Sequence, residues 1–455
     1  MNADNRNAGK LNAEQAGPRP KPPARTELRA LRTPAEQAFM DMLAAAPATE
    51  PGRVGELRRA AAAAFAQNGL PHRRVEEWHY TDLRALLRAV PPRAAGASVP
   101  TREAASFPDA LRVTISDGRV GPLPAELPEG VTLLSLADAL AADHPLLERL
   151  AGAAPAFYDA PLALNTALLD QGVVLHVAAG AKVARPIHVA QVFAAADAAS
   201  VFTRLLVVVE EGAELSLIES FEGASSAAYL DDAVVELLVG DGARVDHVRL
   251  QAEGEGATHL GTLVVELGRA ARYDAFVLTL GAALSRLTVH GRFAGSGAHM
   301  GVRGASLLSG RRHADVTLFL DHAVPGCESR ELFKTVLADA ARGVFQGKIT
   351  VRPDAQKTDG RMMSQALLLS DEAEMDNKPE LEIFADDVQC GHGATAGALD
   401  DKMLFYLMSR GLPRAEAEML LIQAFAGEAV EHVADPAVRE ALVARMAWWL
   451  AGRAG

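Results

Sequence analysis

Between residues 173 and 250 the chain alternates short apolar, β-branched runs with glycine-bearing breaks, and the breaks recur. Gly180-Ala181-Lys182-Val183, Gly212-Ala213-Glu214-Leu215 and Gly242-Ala243-Arg244-Val245 follow one another at separations of 32 and 30 residues. Each has a strand-like run before it (173–177, 205–209, 234–238) and another after it (187–192, 215–218, 245–250). Strand, Gly-Ala turn and strand at a near-fixed period is the signature of a solenoid whose coils bury one another's apolar faces. Looser copies follow at 263–268, 275–280, 287–289, 316–320 and 344–351, so the pattern predicts a β-solenoid over 165–397. A β-sandwich would supply strands but not the spacing.

On either side the period becomes helical. Thr33-Pro34-Ala35-Glu36 has the capping-box order with proline at the first helical position, and opens a helix through Phe39, Met42 and Leu43. A second helix near 54–67 stops at Asn68-Gly69. Trp78 and Tyr80 are expected to anchor the packing of this region, and a helical run near 134–150 completes an N-terminal helical region over 33–164. After Gly397, Asp400 or Asp401 caps a helix ending at Arg410-Gly411, Pro413 opens another, and Asp435-Pro436 starts a third. These form a C-terminal helical domain over 398–455. Residues 1–32, rich in Pro, Gly and Arg without periodicity, read as a disordered tail.

Composition narrows the function. A net charge of -13 argues against a nucleic-acid binder, which would carry a basic stripe. Two cysteines, Cys327 and Cys390, cannot make a disulfide framework, and a reduced, cytoplasmic setting is the expectation. No apolar run reaches the roughly 18–20 residues of a membrane span, and the first thirty residues lack the apolar core of a secretory signal.

The candidate chemistry centres on Cys390-Gly391-His392-Gly393. Residues two apart in an extended segment face the same way, so thiol and imidazole point together. Both suit iron, zinc or iron-sulfur chemistry, but two ligands are half of the roughly four that a closed tetrahedral site needs. The rest would come from elsewhere, such as another chain. On spacing alone, a ligand pair and a plain strand terminus are evenly matched. Gly343-Val344-Phe345-Gln346-Gly347-Lys348-Ile349 imitates a phosphate loop but has only three residues between its glycines and Ile349 where Ser or Thr must follow the lysine, so it reads as a strand. His313, Asp315, Asp321 and His322 flank a strand and could share one rim of the solenoid, but they read as solvated or core-satisfied side chains rather than metal ligands. Cys327 reads as a turn residue. There is no Gly-x-Ser-x-Gly, His-Glu-x-x-His or Cys-x-x-Cys motif.

Arg342-Gly343-Val344-Phe345-Gln346-Gly347-Lys348-Ile349, Ala355-Gln356-Lys357-Thr358-Asp359-Gly360, Lys378-Pro379-Glu380-Leu381-Glu382-Ile383 and Cys390-Gly391-His392-Gly393-Ala394-Thr395 strongly resemble the SufB/SufD family of iron-sulfur cluster assembly. Leu404-Phe405-Tyr406-Leu407-Met408-Ser409-Arg410-Gly411-Leu412-Pro413 continues the match. Trp78-His79-Tyr80-Thr81, Asn165 and Pro186-Ile187-His188-Val189 resemble the SufD branch.

This resemblance implies a mainly β protein, a right-handed parallel β-helix flanked by N-terminal and C-terminal α-helical regions. It implies a non-catalytic scaffold subunit that pairs with SufB and holds the SufC ATPase on its C-terminal helices, with a homodimer when expressed alone. The implied cofactor is a transient iron-sulfur cluster at the SufB interface, touched by His392 with Cys390 beside it. With only two cysteines, an autonomous cluster scaffold is not expected. The alternative is a β-solenoid carbohydrate-active enzyme working through His313, Asp315 and Asp321, and a purely structural β-helix is the third reading.

Overall fold

The turn that repeats in the sequence is the one that closes each coil. In the computed structural model, which describes residues 32–46, 52–96, 105–150, 157–195, 197–223 and 228–453, Gly180, Gly212 and Gly242 take φ of 72°, 65° and 63°. Glycine enters this left-handed region without steric cost. Their N–H groups donate to the carbonyls of Glu211, Asp241 and Arg269, one coil on, each at 2.8 Å. The column continues after the Gly-Ala signature fades. Ala270, Gly297, Gly326 and Lys357 hold φ of 52°, 71°, 72° and 64° and donate to Ser296, Pro325, Gln356 and Asp387 in turn. The stacked ladder imposes the conformation even on Ala270 and Lys357, whose side chains disfavour it.

From Gly172–Val177 onward, successive strands alternate between two sheets, and each pairs in parallel with the strand two further along. In these coils paired positions lie from 26 residues apart (Thr258 with Leu284) to 32 apart (Arg342 with Glu374), whereas Leu111–Ser116 joins Ile187–Phe193 across a much longer stretch of chain. One sheet runs from Leu111–Ser116 through Ile187–Phe193, Glu214–Gly223, Arg244–Ala252, Arg272–Thr279, His299–Leu308, Glu328–Leu337 and Asp359–Leu368 to Gln389–Gly397. The other runs from Gly172–Val177 through Ser200–Val209, Tyr229–Val239, Ala257–Leu267, Leu284–Phe293, His313–His322 and Arg342–Val351 to Glu374–Ile383. The architecture is a mainly β parallel solenoid flanked by helices. Every second residue of both sheets faces the lumen, where Leu175, Val207, Val235, Val245, Val265 and Ile349 belong to one continuous core. Each such side chain contributes about 1.5–3 kcal/mol of burial.

The two ends differ. Toward the N-terminus, Val131–Ser135 pairs antiparallel with Gly172–Val177, and Arg119–Val120 pairs antiparallel with Leu111–Ser116. At the other end Glu374–Ile383 and Gln389–Gly397 each pair with one neighbour, leaving one ladder of each strand unmade. Strands therefore lie within 33–164, the stretch expected to be helical. Val131 and Leu133 face the lumen, and Ser135 then caps the helix Leu136–Ala141. The helical run expected near 134–150 is present in two pieces, Leu136–Ala141 and the 3-10 helix Pro145–Arg149, the first entered directly from the strand.

The capping box forms as expected: Thr33 accepts from the Glu36 amide and Glu36 accepts from the Thr33 amide, starting the helix Pro34–Ala45. The helix Arg53–Asn68 stops at Gly69, φ 64°. With Ala160–Ala167 these helices pack Phe39, Phe65 and Leu164 against Phe202, Leu230, Leu260 and Leu284 on the outside of the second sheet. Helices Arg414–Val430 and Pro436–Arg453 lay Ile422, Leu442 and Met446 on Leu250, Leu278, Leu307 and Val336 outside the first sheet. The helix Asp401–Ser409, capped by Asp400, buries only Leu404. Among the described residues no helix is long and apolar enough to cross a membrane. The expected tail, residues 1–32, lies outside the described residues apart from Arg32.

Candidate functional site at the open end of the solenoid

Strand Gln389–Gly397 is held from one side. Cys390 stands opposite Gly360 and His392 opposite Met362 in the parallel ladder with Asp359–Leu368. The register is set at the preceding turn, where the Lys357 amide donates to the Asp387 carbonyl, the Asp387 amide to Gln356 Oε1 and the Gln389 amide to the Thr358 carbonyl. Lys357 and Asp387 also form an ion pair across the two coils.

Cys390 packs against the lumen core. A Cβ added to Gly360 would lie 3.7 Å from Cys390 Sγ and 3.4 Å from Ser329 Oγ, so thiol and buried hydroxyl approach from the two sides of a residue with no side chain. His392, two positions along the same strand, shares that face and is exposed. Cys390 is half-buried; burial raises its thiol pKa, the Gly360 backbone amide partly offsets this, and the Asp359 charge adds to the rise. The pair thus sits at the mouth of the lumen on an edge strand with a free ladder. Beneath it lie Met362, 2% exposed, and Glu331, 3% exposed, in register with His392 across two successive strands.

His313, Asp315, Asp321 and His322 are satisfied structural side chains, the reading favoured for them over metal ligation, and they do not gather on one rim. All four lie within one strand, His313–His322. Asp315 is buried on the outer face, paired with Arg286 at 2.5 Å and bonded by the Thr81 hydroxyl. His322 faces the lumen against the Phe293 ring at 4.1 Å, and Asp321 is engaged outside by Arg352 at 2.7 Å. Alternation turns only His322 inward; His313, Asp315 and Asp321 share the outer face, but Asp315 is locked to Arg286 and Asp321, at the far end of the strand, to Arg352, so among the described residues they do not converge on one acid–base set. Cys327 follows the Gly326 turn and is buried, its Sγ directed at the Gly295 carbonyl at 3.5 Å. The phosphate-loop look-alike is the strand Arg342–Val351.

A polar lumen network had gone unread in the sequence. Glu219 accepts from His247 at 3.0 Å and Arg249 at 2.9 Å, while His259 Nδ1 lies 2.9 Å from Glu253 and 3.2 Å from Asp231. Burial alone would lower the His259 pKa; Glu253 and Asp231 outweigh it and raise it to about 9. The Nδ1 proton is thereby held between two carboxylates, which leaves no lone pair there for a cation. The signal was present: in Leu215-x-Leu217-x-Glu219-x-Phe221 the charged residue falls on the apolar parity of its strand.

Fold and site together define a solenoid scaffold that ends in short antiparallel strands on one side and, on the other, in an edge carrying a half-buried thiol beside an exposed imidazole. Residues 192–425 match the family described as "SUF system FeS cluster assembly, SufBD core domain", and residues 119–189 match "SufBD protein N-terminal region". The chain is 32% identical over 394 residues to the iron-sulfur cluster assembly protein SufD of Escherichia coli K12, covering 85% of this chain and 91% of that protein. It is 32% identical over 427 residues, 90% of this chain and 91% of the relative, to an iron-sulfur cluster assembly SufBD family protein of Synechocystis. With SufD of Bacillus subtilis the identity is 29% over 291 residues, 62% of this chain and 64% of that protein. The chain belongs to the SufB/SufD family of the SUF iron-sulfur cluster assembly system, and within it the similarity is to SufD.

Proposed function

We propose that this chain is a non-catalytic scaffold subunit that completes a cluster-building site at a subunit seam. In this reading a SufB-type solenoid pairs with the open edge, and His392, with Cys390 beside it, supplies part of the coordination sphere for a nascent iron-sulfur cluster. The cluster is cargo, held in transit and passed on. One observation carries the reading: the imidazole and thiol share the lumen face of an edge strand with one ladder unmade, so what covers the edge also reaches the two side chains.

The helix Asp401–Ser409 is the proposed seat of a SufC-type ATPase. Met403, Phe405, Tyr406 and Met408 are exposed on it, Phe405 at 73%, an apolar surface that a water-facing helix does not need. Expressed alone, the chain would cover its edge with a second copy, giving a homodimer. The set Cys390 and His392 is incomplete for any closed tetrahedral site, which favours a shared site over one in this chain alone.

The test is anaerobic co-expression with candidate SufB and SufC, followed by iron and sulfide analysis of wild type and His392→Ala. The expected result is an intact complex in which His392→Ala carries little iron and sulfide. Wild-type cluster content in that variant would overturn the assignment of His392.

A further inference from the structure

The segment Glu76 to Thr81, which carries Trp78-His79-Tyr80-Thr81, does more than pack its own helical region. Trp78 is fully buried with its ring 3.7 Å from the Arg286 guanidinium, and Arg286 Nη2 donates to the Glu77 carbonyl at 2.8 Å. Thr81 Oγ1 lies 2.9 Å from His313 Nε2 and donates to Asp315, which closes an ion pair with Arg286. Gln346 donates to the same Glu77 carbonyl at 3.3 Å, and Lys378 pairs with Glu76. Tyr80, expected to share the anchoring, is only half-buried, with its ring edge-on to His79.

These contacts fall on four neighbouring strands of one sheet in spatial order: Leu284–Phe293, His313–His322, Arg342–Val351 and Glu374–Ile383. The last is the edge strand, which otherwise has one hydrogen-bonded neighbour. A parallel strand paired on one side is the part of a sheet most prone to open. We infer that Glu76–Thr81 is a strap by which the N-terminal region positions the outermost coil, so that the order of the open end is set from some 300 residues away along the chain.

Two features support a positioning role over general adhesion. The strap's strongest contacts are buried and specific: Thr81 and Trp78 are each 0% exposed, and the Arg286–Asp315 pair beneath them is nearly so. The outermost contact, Glu76 with Lys378, is exposed at Glu76. The strap is thus firmly fixed two coils in and reaches outward to the edge strand, the arrangement of a stay.

The experiment is hydrogen–deuterium exchange on the full chain, comparing wild type with Thr81→Val and Trp78→Leu. Exchange of 76–87 reports whether the strap is released, 374–397 reports the open end, and 200–252 reports the distant coils. Losing the two contacts of the Thr81 hydroxyl is expected to speed exchange of 374–397 by roughly tenfold or more, while 200–252 keeps its wild-type rate. Thr81→Val keeps the fold if the larger Trp78→Leu change does not. Freely exchanging 76–87 with an unchanged open end would overturn the inference, and so would loosening spread evenly over every coil. Because the readout is exchange in the isolated chain, its outcome is independent of the proposed role of His392.

Discussion

The sulfur of Met362 occupies the space above Gly347: a Cβ added to that glycine would lie 2.0 Å from Sδ. Met362 reaches across the lumen from one sheet to the other, directly beneath His392. Gly347, which lent the strand its resemblance to a phosphate loop, is there because nothing larger fits. Gly347→Ala must displace Met362 in a packed lumen and is expected to cost about 1–3 kcal/mol, measured as a lowered denaturant midpoint. It is also expected to disturb the floor under His392.

Glu331 gives the open end a pH signature. Burial raises its pKa from 4.5 to about 8, with the Ser329 hydroxyl and Arg330 only partly offsetting the effect. The folded chain keeps this carboxyl protonated while the unfolded chain releases the proton above pH 4.5. The stability contribution is therefore complete below pH 4.5 and is lost as pH rises to about 8, at about 1.4 kcal/mol per pH unit. Glu331→Gln removes this dependence. Denaturation of the two proteins should give similar midpoints near pH 4.5 and a more stable variant at pH 8.

His322 acts in the opposite direction. Burial lowers its pKa from 6.5 to about 4, and neither ring nitrogen has a hydrogen-bond partner among the described residues. The unfolded chain takes up this proton as pH falls below 6.5 while the folded chain resists, so stability present above pH 6.5 is lost as pH falls toward 4. His322→Leu is expected to flatten the acid limb of the stability curve between those values.

Much of this architecture is legible along the chain. The Gly180, Gly212 and Gly242 turns announce the solenoid, and the capping box, the Asn68-Gly69 stop and the Asp400 cap announce helix ends, because each rests on local backbone chemistry. The later turns escape because Ala270 and Lys357 are held left-handed by the coil stacked on them, a cause invisible locally. What satisfies His313 and Asp315 is hidden for a related reason: their partner Thr81 comes from more than 230 residues away. Cys390 and His392 were readable as a pair from strand alternation, but their position at an edge follows from where the coils stop.

Asp315 distinguishes structure from chemistry. Asp315→Asn leaves Arg286 as an uncompensated buried charge under Trp78, and breaking such a pair costs about 3–5 kcal/mol. The expected outcome is a clear fall in thermal stability and no polysaccharide cleavage by either protein. Cleavage by the wild-type chain, lost in a variant of unchanged stability, would favour the carbohydrate-active reading.

The two thiols should report the seam separately. Cys390 is partly accessible, whereas Cys327 is 1% exposed. In the native chain a thiol reagent is expected to label Cys390, slowly because of its raised pKa, and to reach Cys327 only on unfolding. Covering the edge with a partner should protect Cys390 and leave Cys327 unaffected. Unchanged Cys390 labelling in the complex would place the partner elsewhere.

The unequal ends of the solenoid bear on how far assembly can go. Parallel coils could in principle add to one another without limit, as fibrils do. Here the N-terminal end finishes in two short antiparallel strands and the C-terminal end in two long parallel ones, so the two ends do not present matching edges. A second copy that met the long parallel edge with its own would leave only the short, unlike edges outward, an arrangement that works against head-to-tail growth.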